Sequence, residues 1–458
     1  MPAGQKKIKL INLKFEDFLD LNKPQEDGKK KITFQPARLI PTLKTGDEMA
    51  LTSIFLSTLR LVKEFRDKIF KEINLKRNGR IYYYTEVNFP GLLDGVDLDS
   101  KRIDGLIIVV IKNIIQDAAF FEIKHKSNEL TKEQIGTYFD ISKQLGVTKF
   151  ITISNDFVSD SRESPLKIKP PKVINLFHFS WTYIMTLGQL LLFENDDDIE
   201  DSDQVEIMRE ALHYFENPIS GVRGYLHMKP GWKALSEKID NGQKILNKDE
   251  HLEEAVLSWY EKEKDAALLL SRKIGVFVNS TSRNKDSIEM DKKKFLRDEY
   301  LKGRLTINGA VSDIDIICDF PTKSVSLSIS IIPDLNKKNI GRISWLRDRL
   351  ATCKSKNEEL YKTLEKRLFI EADIKFTKND IRVALKNLEQ LGDLTIGKEI
   401  QSFKIVLVQP FTTSFIEKKF IKQVDNLIID YYQGIVQNLK NWKKPIPKIS
   451  ESSSGFDE

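Results

Sequence analysis

The segment DAAFFEIKHK is an apolar run that ends in charged side chains. Alternate residues of a strand point to the same face, so Glu122 and Lys124 project together while the residues between them face the other side. The earlier segment RIDGLIIVVI predicts the partner strand of an antiparallel hairpin, in which the start of one strand lies beside the end of the other. This pairing predicts that Asp104 lies near Glu122 and Lys124.

Two carboxylates and one ammonium group in one place suit phosphodiester chemistry. Carboxylates a few ångströms apart repel each other, and oxygen ligands of this kind suit Mg²⁺ or Mn²⁺. A cation held there would polarise a phosphodiester and activate water, and Lys124 would orient that water or stabilise charge. The alternative is a surface ion pair between Glu122 and Lys124, since Glu-x-Lys also occurs at residues 417–419. The next residue, His125, is expected to face solvent or to pack lightly.

The elements that carry these residues alternate between helix and strand. Apolar spacing over TGDEMALTSIFLSTLRLVKEFRDKIFKEI predicts one helix, with Thr45 and Asp47 as candidate caps. RIYYYTEVNF predicts a strand, and the two hairpin strands follow it with a connection at residues 112–116. LTKEQIGTYFDISKQLG predicts a helix closed by Gly146, and KFITISN and KVINLFHFSW predict two further strands. This order indicates an α/β domain.

The order of Asp104, an apolar hairpin and Glu122-Ile123-Lys124 resembles the PD-(D/E)xK nuclease superfamily, which has the restriction-endonuclease-like fold. In that superfamily the Asp and Glu bind a metal, the carbonyl between Glu and Lys often joins them, and the Lys assists the attacking water. The resemblance therefore implies Asp104, Glu122 and the carbonyl of Ile123 as ligands of Mg²⁺ or Mn²⁺. It implies Lys124 as a catalytic residue. The first motif departs from the family pattern, because Ile103 stands where the proline would be.

Further residues are assigned through the same resemblance. Gln134 and Tyr138 resemble the Q-x-x-x-Y motif that one large branch places next to the active site, although residues four apart on a helix face also pack together in many helices. The superfamily commonly supplies a glutamate from the preceding helix. Glu48 is the first candidate and Glu64 the second, with Glu86 on the first strand as a third. Glu48 would also be favoured at a helix N-terminus by the helix dipole alone.

The resemblance covers about residues 45–160, and the rest of the chain is divided by its pattern alone. The fold class we expect is α/β: a restriction-endonuclease-like core, which is a mixed sheet flanked by helices, followed by a helical region and a smaller α+β domain. The predicted segments are a basic N-terminal arm (1–41), a nuclease-like domain (42–203), a helical connector (204–300), an α+β domain (301–445) and a disordered tail (446–458).

Composition narrows the class of protein. The 458 residues are 40% hydrophobic and 31% charged, which is typical of a globular chain, and no apolar stretch approaches the length of a membrane span. Two cysteines, Cys318 and Cys353, give neither a zinc site nor a disulfide framework, so we expect a cytoplasmic protein. A net charge of +6 permits a polyanionic partner without requiring one. No Walker phosphate-binding loop is present.

The resemblance implies a metal-dependent DNA nuclease, with an endonuclease favoured over an exonuclease. It would serve bacterial restriction, phage defence or repair, with DNA as its partner and no membrane partner, acting as a homodimer or with a separate partner subunit. Two alternatives remain. In the first, the chain is a catalytically inactive nucleic-acid-binding or assembly module that keeps the nuclease fold. In the second, residues 204–442 sense a ligand or partner and gate a nuclease domain.

Overall fold

A computed structural model describes residues 8–24, 30–40, 44, 46–90, 101–125, 130–158, 161–193, 199–283 and 285–442. Thr45, one of the two candidate caps, and the predicted tail at 446–458 lie outside these residues. The chain divides into two compact units. The first comprises Met1–Gly303 with Ile416–Lys422, and the second comprises Arg304–Phe415 with Gln423–Glu458.

The first unit mixes helices and strands. Its helices are α1 (Phe15–Asp20), α2 (Glu48–Leu61), α3 (Lys63–Glu72), α4 (Lys132–Leu145), α5 (Trp181–Phe193), α6 (Ser202–Glu216), α7 (Pro230–Asp240), α8 (Glu250–Ile274) and α9 (Lys285–Asp298). Its strands are β1 (Thr33–Pro36), β2 (Arg80–Asn88), β3 (Ile103–Ile111), β4 (Ile114–Ile123), β5 (Lys149–Ser154), β6 (Asn175–Ser180) and the short β7 (Val278–Ser280). A 3-10 turn at Pro218–Ser220 lies between α6 and α7.

The first six strands form a mixed sheet in the order β1-β2-β3-β4-β5-β6. Pairing is antiparallel from β1 to β4 and parallel from β4 to β6. The described part of the basic N-terminal arm supplies β1, which pairs with β2, and α1, whose Phe15 and Phe18 are buried. The fold class is therefore mixed α/β.

Helices cover both faces of this sheet. On one face, Phe55 of α2 and Phe65 of α3 pack in a cluster that includes Phe121. On the other, Phe18 of α1 and helix α4 pack in a cluster that includes Phe120. Because both faces are covered, the central strand β3 is apolar almost throughout instead of alternating.

Two connections differ from the sequence prediction. The hairpin between β3 and β4 turns at Lys112 and Asn113 alone, and both have positive φ, 50° and 61°. Such a two-residue turn matches the twist of its strands, so β4 begins earlier than the predicted connection at 112–116 allowed. The single helix predicted before the first strand is two helices, because buried Val62 has an extended backbone (φ −106°, ψ 101°) between α2 and α3.

The second unit is built around antiparallel strands. Its strands are β8 (Tyr300–Ile307, which begins in the first unit), β9 (Ile314–Asp319), β10 (Ser324–Ile331), β11 (Leu368–Ile374), β12 (Ile381–Ala384) and β13 (Ile400–Pro410). Its helices are α10 (Asn339–Lys356), α11 (Glu358–Glu365), α12 (Gln390–Leu394) and α13 (Lys419–Gly434, which begins in the first unit), with 3-10 turns at Leu385–Asn387 and Val436–Asn438. The strand order β12-β11-β13-β10-β9-β8 brings β13 beside β10 and β11, with antiparallel pairing to both.

Burial alternates along β10, so one face of this second sheet is covered and the other is partly open. Tyr431 of α13 donates a hydrogen bond to the carbonyl of Ile405 at 2.6 Å and joins helix to sheet within this unit. The final helix of this unit, α13, ends at Gly434. Over the described parts of the chain, no helix is both long and apolar enough to span a membrane.

Candidate functional site

The hairpin brings the three sequence-predicted charged residues together. Gly105 of β3 pairs with Phe121 of β4, and Asp104 and Glu122 are the next residues along their strands. Asp104 Oδ2 accepts a hydrogen bond from the backbone N–H of Ile123 at 2.7 Å, which fixes the carboxylate against the end of β4. Strand pairing and side-chain alternation therefore place both carboxylates beside the residue that follows β4, Lys124.

The ammonium group of Lys124 is the centre of the cluster. Its Nζ lies 2.7 Å from Glu48 Oε1, 2.8 Å from Glu122 Oε1 and 3.6 Å from Asp104 Oδ2. It also donates to the carbonyl of Ile123 at 3.3 Å. The backbone of Lys124 is fixed from two sides, because its N–H donates to Ile153 O at 2.8 Å and its carbonyl accepts from Trp181 Nε1 at 2.9 Å. The ammonium group therefore lies in a defined position among three carboxylates.

The structure distinguishes the three candidate glutamates. Glu48 is the first residue of α2, where its carboxylate contacts Lys124 directly and also benefits from the helix dipole. Glu64 lies on α3, and no contact between it and this cluster is found in the described residues. Glu86 has a positive φ of 53° at an irregularity in the β1–β2 pairing, and its carboxylate lies 3.6 Å from the side chain of Arg102. Glu48 is thus the glutamate that joins the cluster by contact.

Glu86 influences the cluster through its charge. Burial raises the pKa of Glu86, and the guanidinium of Arg102 lowers it in part. The charge of Glu86 in turn contributes to the raised pKa of Asp104. A non-glycine residue with positive φ inside a strand is strained, and such strain is concentrated at functional sites.

The two polar residues of α4 bond to the cluster and to each other. Gln134 Nε2 donates to Glu122 Oε1 at 2.6 Å and to the hydroxyl of Tyr138 at 3.2 Å. The Tyr138 hydroxyl donates to the carbonyl of Arg102 at 2.9 Å, so Tyr138 also anchors the start of β3. Thr131 caps α4 by accepting from the N–H of Gln134. Gln134 therefore positions Glu122, and Tyr138 positions Gln134.

The cluster carries more negative than positive charge. Burial raises the pKa of Asp104 to about 6, and burial together with the charge of Asp104 raises the pKa of Glu122 well above its ordinary value. Burial alone would lower the pKa of Lys124, but the carboxylates of Asp104 and Glu122 outweigh it and raise that pKa. One ammonium group is therefore insufficient to stabilise every carboxylate in its ionised form.

One buried carboxylate oxygen of the cluster has no hydrogen-bond partner among the described residues. Glu122 is fully buried, and within the described residues its Oε2 accepts no hydrogen bond. A buried ionised oxygen without a partner is unfavourable, and a bound proton or cation removes that cost. In that same part of the chain no group of three or more His, Cys, Asp or Glu side chains is arranged to hold a metal ion. The carboxylates of Asp104 and Glu122 and the carbonyl of Ile123 lie within 3.6 Å of the Lys124 ammonium group and are oxygen donors of the kind that Mg²⁺ prefers.

His125 is the residue that the sequence prediction placed wrongly. It is 5% exposed, and its ring lies 3.1 Å from Glu48 Oε2 through Nδ1 and 2.9 Å from the carbonyl of Gly46 through Nε2. The expectation that it faces solvent or packs lightly is therefore wrong. The signal in the sequence that could have indicated its burial is its position directly after Lys124, because the two residues that follow β4 are both buried.

Comparison with known proteins gives no match for this chain: no protein-family model, no curated protein and no solved structure is similar to it.

Proposed function

We propose that the chain is a metal-dependent nuclease that hydrolyses phosphodiester bonds, with a restriction-endonuclease-like core in its first unit. The observation that carries the proposal is the group of three carboxylates around Lys124, of which Glu122 is fully buried and has an oxygen with no hydrogen-bond partner in the described residues. A buried group with a strongly perturbed pKa and a specific charge partner is a candidate functional site.

The sheet supports the proposed core. An antiparallel pair, β3 and β4, is followed by α4 and by β5, which pairs parallel with β4. A mixed sheet flanked by helices is what the PD-(D/E)xK resemblance implies, and Asp104, Glu122 and Lys124 lie together at one end of this hairpin. Gln134 and Tyr138 lie beside them on α4.

In this proposal each residue of the cluster has a role that follows from its contacts. Asp104, Glu122 and the carbonyl of Ile123 would hold a divalent cation, Mg²⁺ with Mn²⁺ as an alternative, and this cation would supply polarisation of the phosphate and activation of water. Lys124 supplies positive charge where negative charge develops on the phosphate, or orients the attacking water. Gln134 holds Glu122, and Glu48 holds Lys124. From the resemblance we also propose that the substrate is DNA, that cleavage is endonucleolytic, and that the chain serves restriction, phage defence or repair.

The test is cleavage of supercoiled plasmid and of linear single-stranded DNA by the purified full chain, with Mg²⁺, Mn²⁺ or EDTA. Asp104→Ala and Lys124→Ala remove the proposed site. The matched controls are Asp117→Ala and Lys149→Ala, because these two residues form another mostly buried ion pair of 2.7 Å, with Asp117 on the same strand as Glu122.

Metal-dependent cleavage that is lost in the site variants and retained in the controls supports the proposal. Cleavage that survives Asp104→Ala and Lys124→Ala means that the site lies elsewhere or that the activity is a contaminant. DNA retention in a gel shift without cleavage favours the catalytically inactive binding or assembly module. Absence of both binding and cleavage moves the function toward residues 204–442 and a sensing role.

A further inference from the structure

We propose that His125 is a positioning residue that holds the carboxylate of Glu48 against the Lys124 ammonium group. The two neighbouring residues bind one carboxylate from different sides: Lys124 Nζ contacts Oε1 at 2.7 Å, and His125 Nδ1 contacts Oε2 at 3.1 Å. With both oxygens engaged, Glu48 has little freedom to rotate. The proposal rests on the nuclease function proposed above and assigns a residue that supports it.

The other side of the imidazole is anchored to backbone. His125 Nε2 lies 2.9 Å from the carbonyl of Gly46, two residues before Glu48. Gly46 has φ +85°, and a Cβ at this position would lie 2.6 Å from the carbonyl oxygen of Ile219, so glycine is required here. The ring therefore bridges the carbonyl of Gly46 and the side chain of Glu48, the first residue of α2.

The partners of the two ring nitrogens determine which of them carries a hydrogen. A carbonyl oxygen only accepts, so the Nε2 that faces Gly46 carries a hydrogen. The bond between Nδ1 and Glu48 then needs a hydrogen either on Nδ1 or on the carboxyl group. Because His125 is 5% exposed and both nitrogens are engaged, the ring has no nitrogen left for substrate or water. A supporting role through Glu48 is therefore the role that these contacts allow.

Loss of the Nδ1 bond would remove the contact that His125 makes with Oε2 of Glu48. The carboxylate would then be held less firmly against Lys124, whose ammonium group would move toward Glu122 at 2.8 Å and Asp104 at 3.6 Å. That shift would misplace the charge that Lys124 supplies to the phosphate. A purely structural role for His125 predicts a different outcome, namely lower stability without a specific effect on turnover.

Two substitutions separate the two bonds. The side-chain amide nitrogen of asparagine lies about where Nδ1 of histidine lies, and that of glutamine lies about where Nε2 lies. His125→Asn therefore keeps a donor to Glu48, whereas His125→Gln keeps a donor to Gly46 only. In a DNA cleavage assay with Mg²⁺ we expect His125→Gln to lower kcat about tenfold or more at nearly unchanged KM, and His125→Asn to stay within about threefold of wild type.

The second arm asks whether His125 acts through Glu48. In the Glu48→Gln background, His125→Gln should lower kcat no further, because the group that it positions is already altered. Equal loss of kcat in His125→Asn and His125→Gln, or independent additive effects of His125→Gln and Glu48→Gln, would overturn the proposal.

A third arm does not depend on catalysis. The coupling between Glu48→Gln and Lys124→Met is measured by urea unfolding in the wild-type chain and in His125→Gln. We expect the coupling to fall by at least about half in His125→Gln, since Glu48 and Lys124 then lose their fixed geometry. An unchanged coupling overturns the positioning role. A chain that cleaves no DNA but shows the expected fall retains the positioning role and loses the nuclease assignment.

Discussion

Replacement of Lys124 by methionine tests the charge arrangement without relying on any activity. Methionine keeps most of the volume of the lysine stem and removes the ammonium group from among Glu48, Asp104 and Glu122. Glu48 and Asp104 are 21% and 17% exposed in their side chains, so water compensates them in part, whereas Glu122 is fully buried. The loss of stability should therefore come mainly from Glu122.

The size of the effect follows from this burial. Removal of one partner from a buried ion pair costs about 3–5 kcal/mol, because the other charge stays buried. Glu122 would keep the hydrogen bond from the neutral amide of Gln134, which stabilises a buried charge less than an ammonium group does. Lys149→Met is the matched control, since its partner Asp117 still accepts from the N–H groups of Lys76 and Ala118 at 3.0 Å. We expect this control to lose about 1–2 kcal/mol. The two variants should therefore differ by about 2 kcal/mol or more.

The assay is thermal unfolding in EDTA at pH 7.5 and pH 5. A loss of about 3–5 kcal/mol lowers Tm by on the order of 5–8 °C for a unit of the size of the first one. The pKa of Asp104 is raised to about 6, so the folded chain keeps this proton at a pH where the unfolded chain has released it. The stability that Asp104 contributes through its raised pKa is fully present below about pH 4 and is lost as pH rises through about 6. Without Lys124 the carboxyl groups bind protons more readily still, so the penalty of Lys124→Met should be smaller at pH 5.

Two results would refute this reasoning. A fall in Tm for Lys124→Met no larger than that of Lys149→Met would mean that the ammonium group does not stabilise Glu122. A penalty that is equal at pH 5 and pH 7.5 would mean that the loss comes from packing and not from uncompensated charge.

Three further predictions concern single contacts. Trp181→Phe removes the donor to the Lys124 carbonyl and should cost about 1–3 kcal/mol by urea unfolding; wild-type stability would show that this bond is dispensable. Gly46→Ala places a Cβ against the Ile219 carbonyl in a backbone conformation with positive φ and should lower the free energy of unfolding by at least about 1 kcal/mol; an unchanged value would mean that the loop relaxes. The pKa of Glu261 is raised by burial to about 7, so its contribution to stability is complete below about pH 4.5 and is lost as pH rises through 7. Relative to Glu261→Gln, the wild type should therefore lose up to about 3 kcal/mol between pH 5 and pH 8, and parallel pH curves would contradict the shift.

The central part of the candidate site follows from sequence because it depends on local rules. Side-chain alternation places Glu122 and Lys124 on the same side of β4, and pairing of consecutive strands in a hairpin places Asp104 beside them. Gln134, which the resemblance assigned to the site, contacts Glu122 from the helix that comes next along the chain. None of these contacts requires knowledge of how distant segments pack.

The remaining parts depend on contacts between distant segments, which no local pattern encodes. The bond from His125 to the carbonyl of Gly46 joins residues 79 positions apart, and that from Trp181 to Lys124 joins residues 57 positions apart. The break at Val62 is similar, because valine is compatible with a continued helix and only burial between α2 and α3 shows its position. The positive φ of Glu86 likewise occurs where the register between β1 and β2 shifts, and β1 comes from the N-terminal segment.

The position of β4 explains why these charges converge at this end of the sheet. It pairs antiparallel with β3 and parallel with β5, so its C-terminal end lies beside the start of β3 and the end of β5. The start of β3 supplies Asp104, and the end of β5 supplies the carbonyl that binds the N–H of Lys124. The backbone N–H groups of Ile123 and Lys124 are thus hydrogen-bonded to neighbouring strands, and the charged side chains contact one another. Such an arrangement concentrates carboxyl groups at one end of the sheet, and the ammonium group of Lys124 stabilises them there.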